Sequence, residues 1–478
     1  MNFLEKLVLS IFISFLLFGC GKSGSSNKEK IEDDSNTTTL AVTQNTAIIK
    51  SDDKSIENNI TEEEDNSLFG VKEPLVCEVD SKKKFVYDVM HDSYLWADDV
   101  PSIDYKSDEY ENSESILSTL KDSRDRFSFI AEAKEVDGYF EDSKNKNFGF
   151  DFVIGSFGNG YEYWVVNYVY PNSPAYKAGL RRSNVIVGIN NQDIRTENRY
   201  ELINLFYDED KLVLDMKGDR EDITLQKATY DIETILYRSI LTSNGGTEKI
   251  GYFVFQDFIE KATDDLDNLF TFLKRDNINE LILDLRYNRG GYMHVANHLA
   301  SLIGGDRLSD KIFYYSTFND KYKYYEYSKN FQKDLDSSLN LERVFVITTN
   351  STCSASEAVI NGLRASANGI EVIQIGDYTC GKPHGFYGLS FCDKYIFAVD
   401  FEIQNSDRYG GYLNGLAPTC YAYDDTSYEF GDKRENSLKE ALYYIDNGRC
   451  GPDYRSTRSD KKLFSPVKKG FRQIMSAY

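Results

Sequence analysis

Val344-Phe345-Val346-Ile347 is a short unbroken apolar run, and seven residues after it comes Ser354-Ala355-Ser356-Glu357. An apolar run of this length, bounded by polar residues, reads as a strand buried on both faces. Ser354 followed three residues later by Glu357 is the signature of a helix N-terminus. Strand, loop and helix in this order put a serine hydroxyl at the positive end of a helix dipole, beside N–H groups that no helical carbonyl uses. A serine in a capping box is ordinarily only a cap, but a nucleophile can occupy the same position.

Two further stretches bear on the serine. Asp284-Leu285-Arg286-Tyr287-Asn288-Arg289-Gly290-Gly291 continues a second buried run that begins at Leu281, and it ends in paired glycines that permit close backbone approach. Gly376-Asp377-Tyr378-Thr379-Cys380-Gly381-Lys382 is a Gly-rich turn that brings a lysine 28 residues after Ser354. A serine hydroxyl is a poor nucleophile until a base removes its proton, and lysine does so only when neutral. Burial among aromatic neighbours lowers a lysine pKa toward that state. The expected site is therefore Ser354 as nucleophile and Lys382 as general base. The N–H of Ala355 and one from Gly290 or Gly291 are expected to form an oxyanion hole.

Other arrangements fit less well. A Ser/His/Asp triad would draw on His91, His294, His298 or His384, and no G-x-S-x-G elbow occurs. His294 and His298 are spaced as metal ligands on a helix, but the segment lacks the Glu of H-E-x-x-H, and no metal is expected. His384, two residues from Lys382, can line the site. Cys353, next to Ser354, is expected to be a disulfide partner or a small packed residue.

Outward from this core the composition changes by block. Residues 1–20 read as a lipoprotein signal peptide: Lys6, an apolar run from Leu7 to Phe18 too short to span a bilayer, then Leu17-Phe18-Gly19-Cys20, with Cys20 as the lipidation site. Residues 21–75 are polar and charged and read as a disordered tether. Val86, Val89, Met90 and Tyr94, then Ile116, Leu117 and Leu120, recur at helical spacing within an N-terminal helical domain, 76–145. In 146–228 the period becomes that of strands, and Phe148-Gly149-Phe150 opens a PDZ-like β-rich domain whose loop and strand would hold a peptide C-terminus on backbone N–H groups. Residues 229–450 alternate strands and helices as an α/β core with a mixed sheet, and 451–478 form a C-terminal tail. Exported chains permit disulfides, and the six cysteines other than Cys20 allow 15 pairings. One candidate pair is Cys380 with Cys392, across a hairpin that carries Lys382. The net charge of −22 disfavours nucleic acid as a partner.

Together these motifs resemble the C-terminal processing peptidases, or tail-specific proteases, and in particular lipoprotein members of the Bacteroidetes type. The resemblance rests on 284–291, Ser354-Ala355-Ser356-Glu357, 376–382, the PDZ-like block, Tyr94-Leu95-Trp96 and Gly415-Leu416-Ala417-Pro418. It implies a multidomain α/β serine endopeptidase with a Ser354/Lys382 dyad, no cofactor, and protein or peptide substrates with free C-termini. The address implied is the bacterial cell envelope, with an N-terminal lipid as the only membrane attachment. Two departures stand out. Phe386 occupies the place four residues after the lysine where the family often has glutamine, and Ala365 the place eleven after the serine where an acid is common. These departures favour an alternative, a catalytically silent lipoprotein that binds tails through its PDZ-like groove.

Overall fold

The computed structural model describes residues 69–452; Cys20, the signal and most of the tether, and the tail from 453 lie outside them. At the centre is a six-stranded mixed sheet. Ile235–Thr242 runs antiparallel to Lys249–Phe255, and Glu280–Asp284, Arg343–Thr348, Glu371–Gly376 and Cys420–Tyr421 then follow in parallel. Both faces are covered, which is why these strands read as nearly continuous apolar runs. Phe253, Leu281, Leu283, Val344 and Val346 meet the helices Ala262–Arg275, Met293–Gly304 and Ala355–Arg364 on one side. Tyr252, Ile282, Phe345 and Ile347 meet Leu438, Leu442 and Ile445 of the Asn436–Asn447 helix on the other.

The register fixes where the loops emerge. Asp284 pairs with Ile347, and Ile347 with Ile375. Three neighbouring parallel strands thus release their loops at one edge of the sheet, where ligand sites of open α/β sheets form. Those loops carry Gly290-Gly291, Ser354 and Lys382.

The N-terminal block packs Phe85, Val86, Val89 and Met90 of the Val79–Asp92 helix with Ile116, Leu117 and Leu120 of the Ser113–Leu120 helix. It is not helical throughout. Phe129–Glu132 is a strand that pairs antiparallel with Lys394–Phe397 of the core, so the block docks by sharing a sheet. The β-rich block has its own core, built on Phe148, Phe152, Trp164, Leu202, Phe206 and Leu214, with Phe150–Gly158 at the edge of its sheet.

Buried polar groups lock the three blocks together. Arg182 of the β-rich block enters the core: it donates to Asn167 O and Tyr287 Oη at 2.6 Å, to Tyr428 O at 2.8 Å and to Asp424 Oδ1 at 2.9 Å. Arg286 pairs with Asp284 at 2.7 Å and with Asp424 and Glu435 at 2.9 Å. Asp257 of the core accepts from Tyr139 of the N-terminal block and, at 2.5 Å, from Tyr170 of the β-rich block. Removing Arg182 takes one of two arginines from Asp424 and the donor from the buried carbonyls of Asn167 and Tyr428, in a medium that solvates them poorly. Arg182→Ala is therefore expected to cost about 3–5 kcal/mol, measured as the shift in denaturant-induced unfolding against the parent.

Candidate active site

Ser354 sits between the Arg343–Thr348 strand and the Ala355–Arg364 helix, with φ 57° and ψ −116°. A non-glycine residue in this left-handed region is strained by roughly 1–3 kcal/mol and persists only where its surroundings impose it. Here Glu357 imposes it. Its buried carboxylate accepts from Ser354 N at 2.9 Å, as the capping pattern predicted. It also accepts from Thr379 Oγ1 at 2.5 Å and from the N–H groups of Gly381 and Lys382 at 2.8 Å each. One carboxylate thus fixes both the serine and the turn that bears the lysine. Burial pushes the Glu357 pKa up, and these hydrogen bonds pull against that.

A covalent bond joins the same two segments. Cys353 and Cys380 form a disulfide with Cα atoms 5.2 Å apart. Cys392 is bonded to Cys77 instead, and Cys420 to Cys450, so the hairpin pairing of Cys380 with Cys392 does not occur. The parallel register brings the loops at 353 and 380 side by side, whereas Cys392 lies at the turn between Gly388–Phe391 and Lys394–Phe397, against the N-terminal block.

Lys382 is 2% exposed. Its Nζ lies 3.9 Å from the ring centroid of Phe386 and 5.5 Å from that of Phe127. Burial lowers its pKa to about 7, with Asp125 and Glu357 opposing. The amine is therefore substantially neutral in mildly alkaline solution, the form that accepts a proton. His384 is also buried; desolvation and the neighbouring lysine lower its pKa to about 4, and its ring stands edge-on to Trp96 at 5.1 Å.

The glycine turn closes the site. A Cβ on Gly290 (φ 100°) would lie 2.7 Å from Ser354 Cβ and 2.9 Å from Ala355 N, so only glycine fits there. Gly290 N donates to Asn288 Oδ1 at 2.9 Å, which commits it within its own turn. Asn288 O in turn accepts from Cys353 N at 3.0 Å and Ser356 Oγ at 3.2 Å, tying the turn to the helix start. Of the expected N–H donors, Gly291 and Ala355 are not so committed; Ala355, first in its helix, stands outside the helical ladder.

A model of peptidase family S41 matches residues 249–401, one of the S41 N-terminal domain matches 81–129, and one of the PDZ domain matches 165–213. The core of the chain thus resembles the peptidases of family S41, preceded by stretches similar to that family's N-terminal domain and to a PDZ domain. It is 27% identical over 221 residues to the carboxy-terminal processing protease CtpA of Bacillus subtilis, covering 44% of this chain and 42% of that protein. It is 24% identical over 228 residues to the chloroplastic C-terminal processing peptidase of Tetradesmus obliquus, covering 44% and 46%. The chain thus spans under half the length of these curated relatives. An S41 protease structure from Bacteroides fragilis superposes with a TM-score of 0.65 at 25% identity, over 76% of this chain and 97% of that one.

The PDZ-like loop is not part of the Ser354 cluster. Phe148 and Phe150 are buried beside Phe206, and Gly149 N donates to Asn147 Oδ1 at 2.7 Å. An ion pair, Arg289 to Asp151 at 3.7 Å, runs from the glycine turn to the PDZ edge strand. His294 and His298 are likewise elsewhere: His294 faces Glu260, and His298 lies between Asp267 and Gln332. Among the described residues, the closely spaced ligand-type groups, Cys353/Glu357/Cys380 and Cys420/Glu440/Cys450, each contain a disulfide.

Three contributions went unread in the sequence: Glu357 as a junction, Asn288, and Asp125-Arg126-Phe127 of the N-terminal block. Arg126 Nη2 donates to Leu413 O at 2.9 Å and Gly381 O at 3.4 Å, which seats that block on the lysine turn. A signal for Glu357 was present, since an acid flanked by Ala355, Ala358 and Val359 on a buried helix must find donors.

Two outcomes are expected. Non-reducing peptide mapping recovers Cys353 linked to Cys380, and Cys77 to Cys392. Glu357→Ala, which leaves several buried donors without an acceptor, lowers stability by at least about 3 kcal/mol in chemical denaturation.

Proposed function

We propose that the protein is a serine endopeptidase that cleaves C-terminal or unstructured regions of exported proteins through an acyl-enzyme, with Ser354 as nucleophile and Lys382 as general base. The observation that carries this reading is a fully buried lysine with its pKa lowered to about 7, held to the serine's helix by one carboxylate and one disulfide. The S41 matches and the C-terminal processing relatives support the activity, and the PDZ match supports peptide or protein substrates.

In the first step neutral Lys382 Nζ takes the Ser354 Oγ proton while Oγ bonds to the substrate carbonyl carbon. The carbonyl oxygen becomes an oxyanion facing the N–H groups of Ala355 and Gly291, in the field of the helix N-terminus. The ammonium then gives its proton to the leaving amine as the C–N bond breaks. Water, deprotonated by the same lysine, releases the acyl group. Binding of a tail by the PDZ-like block through 148–150, and lipid attachment at Cys20 in the cell envelope, complete the reading.

Ser354→Ala and Lys382→Ala are each expected to abolish cleavage of an unfolded protein substrate. Parental rates in both variants would sink the dyad. A serine-directed probe separates this reading from a silent binding protein: it should label Ser354 in the parent and not in Lys382→Ala. Since the base works only when neutral, kcat/KM should rise with pH through about 7, with activity at pH 8 roughly tenfold that at pH 6. Stability should move the same way. The unfolded lysine holds its proton up to its ordinary pKa of 10.5, whereas the folded one loses it near 7, so this group's penalty eases as pH rises between the two values.

A further inference from the structure

We propose that Phe386 and Phe127 are positioning residues of the reaction, their ring faces receiving the Lys382 ammonium as it forms. This rests on the dyad reading above and supplies what that reading lacks, a group that orients the base. Phe386 stands where the family resemblance implied a glutamine, and its ring centroid lies 3.9 Å from Lys382 Nζ; that of Phe127 lies at 5.5 Å.

Neither ring is free to drift. Phe386 meets Phe129 and Phe397 edge-on, with centroids at 5.6 and 5.2 Å. Phe127 is 1% exposed, and its N–H donates to Asp125 Oδ1 at 2.8 Å. Asp125 is itself buried and also accepts from Tyr94 Oη at 2.9 Å and Ser128 N at 2.9 Å. The N-terminal block therefore contributes one ring and one buried carboxylate to the surroundings of a lysine that belongs to the core.

The chemistry depends on when the charge appears. An aromatic face attracts a cation through its quadrupole and attracts a neutral amine far less. In the resting enzyme a neutral Lys382 gains little from the rings. Once it has taken the Ser354 proton it is an ammonium, and the attraction is then at full strength, with desolvation enlarging it. An interaction that strengthens along the reaction coordinate lowers the barrier, whereas one present throughout does not. The charged and titratable groups around the lysine are Asp125 and Glu357, which favour the ammonium, and His384 and Arg126, the latter fixed to Gly381 O and Leu413 O.

The test is kcat/KM against pH for full-length Phe386→Leu, Phe127→Leu and Phe386→Gln, with Ser354→Ala and Lys382→Ala alongside and thermal melts as a folding control. Leucine keeps the site apolar and removes the ring face. Phe386→Leu is expected to lose on the order of tenfold in kcat/KM, and its acid limb should move to lower pH, because the ammonium has lost a stabilising partner. Phe127→Leu, at the more distant ring, should do the same to a smaller extent. Glutamine offers the ammonium a carbonyl oxygen, so Phe386→Gln should recover most of the rate. Leucine variants with the parental rate and limb would overturn the proposal while leaving the dyad intact, provided Ser354→Ala and Lys382→Ala are inactive. A limb that moves to higher pH would also overturn it, since the rings would then act only by excluding water. Activity in Ser354→Ala and Lys382→Ala would remove the dyad and this proposal together.

Discussion

The Glu357 carboxylate is the junction on which the site depends. A buried carboxylate is tolerated only when its lone pairs are filled, and here the donors come from two stretches of chain: Ser354 at the helix start, and Thr379, Gly381 and Lys382 on the following turn. Satisfying one side chain therefore dictates the relative position of two others. It also holds Ser354 in a left-handed conformation that an isolated chain would leave. The disulfide between Cys353 and Cys380 repeats the same constraint covalently. Sheet register does the coarse work of bringing the loops to one edge, and the carboxylate and disulfide do the fine work.

Much of this arrangement was legible because it is local. The runs at 281–285 and 344–347 are strands buried on both faces, and an uninterrupted apolar run is the direct record of that environment. The start of the helix at Ala355 follows from the Ser354/Glu357 pattern. What was missed is non-local. Glu357 satisfies a capping rule within three residues, and its apolar flanks ask for further donors without saying that these come from 379–382. Six cysteines leave 15 pairings, and a hairpin is the natural guess until the parallel register is known. The turn at Asn288-Arg289-Gly290-Gly291 announces two flexible residues, but not that Asn288 engages the first of their N–H groups.

The contacts between blocks follow a different rule. The core and the β-rich block each have an apolar cluster of their own, and beside the packing of Tyr168 and Tyr170 into the core what joins them is polar: Arg182 with Asp424 and Tyr287, Asp257 with Tyr170, Arg289 with Asp151. Such contacts are directional, so they set angle as well as proximity. The N-terminal block differs, since it completes a three-stranded sheet through Phe129–Glu132 and shares a hydrophobic cluster with Phe391, Ile396 and Val399. It is built into the core, which is consistent with Asp125 and Phe127 lying beside Lys382.

The Cys77–Cys392 bond spans 315 positions and encloses the β-rich block, the glycine turn, Ser354 and Lys382 in one covalent ring. On the proposed reading, a peptidase that accepts unstructured chain would be exposed to its own activity and to that of its neighbours. Within this ring a single cut, wherever it falls, opens a circle and releases nothing: the two new ends stay attached to the same molecule, and the noncovalent contacts can reseat them. Accidental nicking is thereby converted from loss of a fragment into a repairable opening, and only a second cut or a reducing environment lets a piece depart.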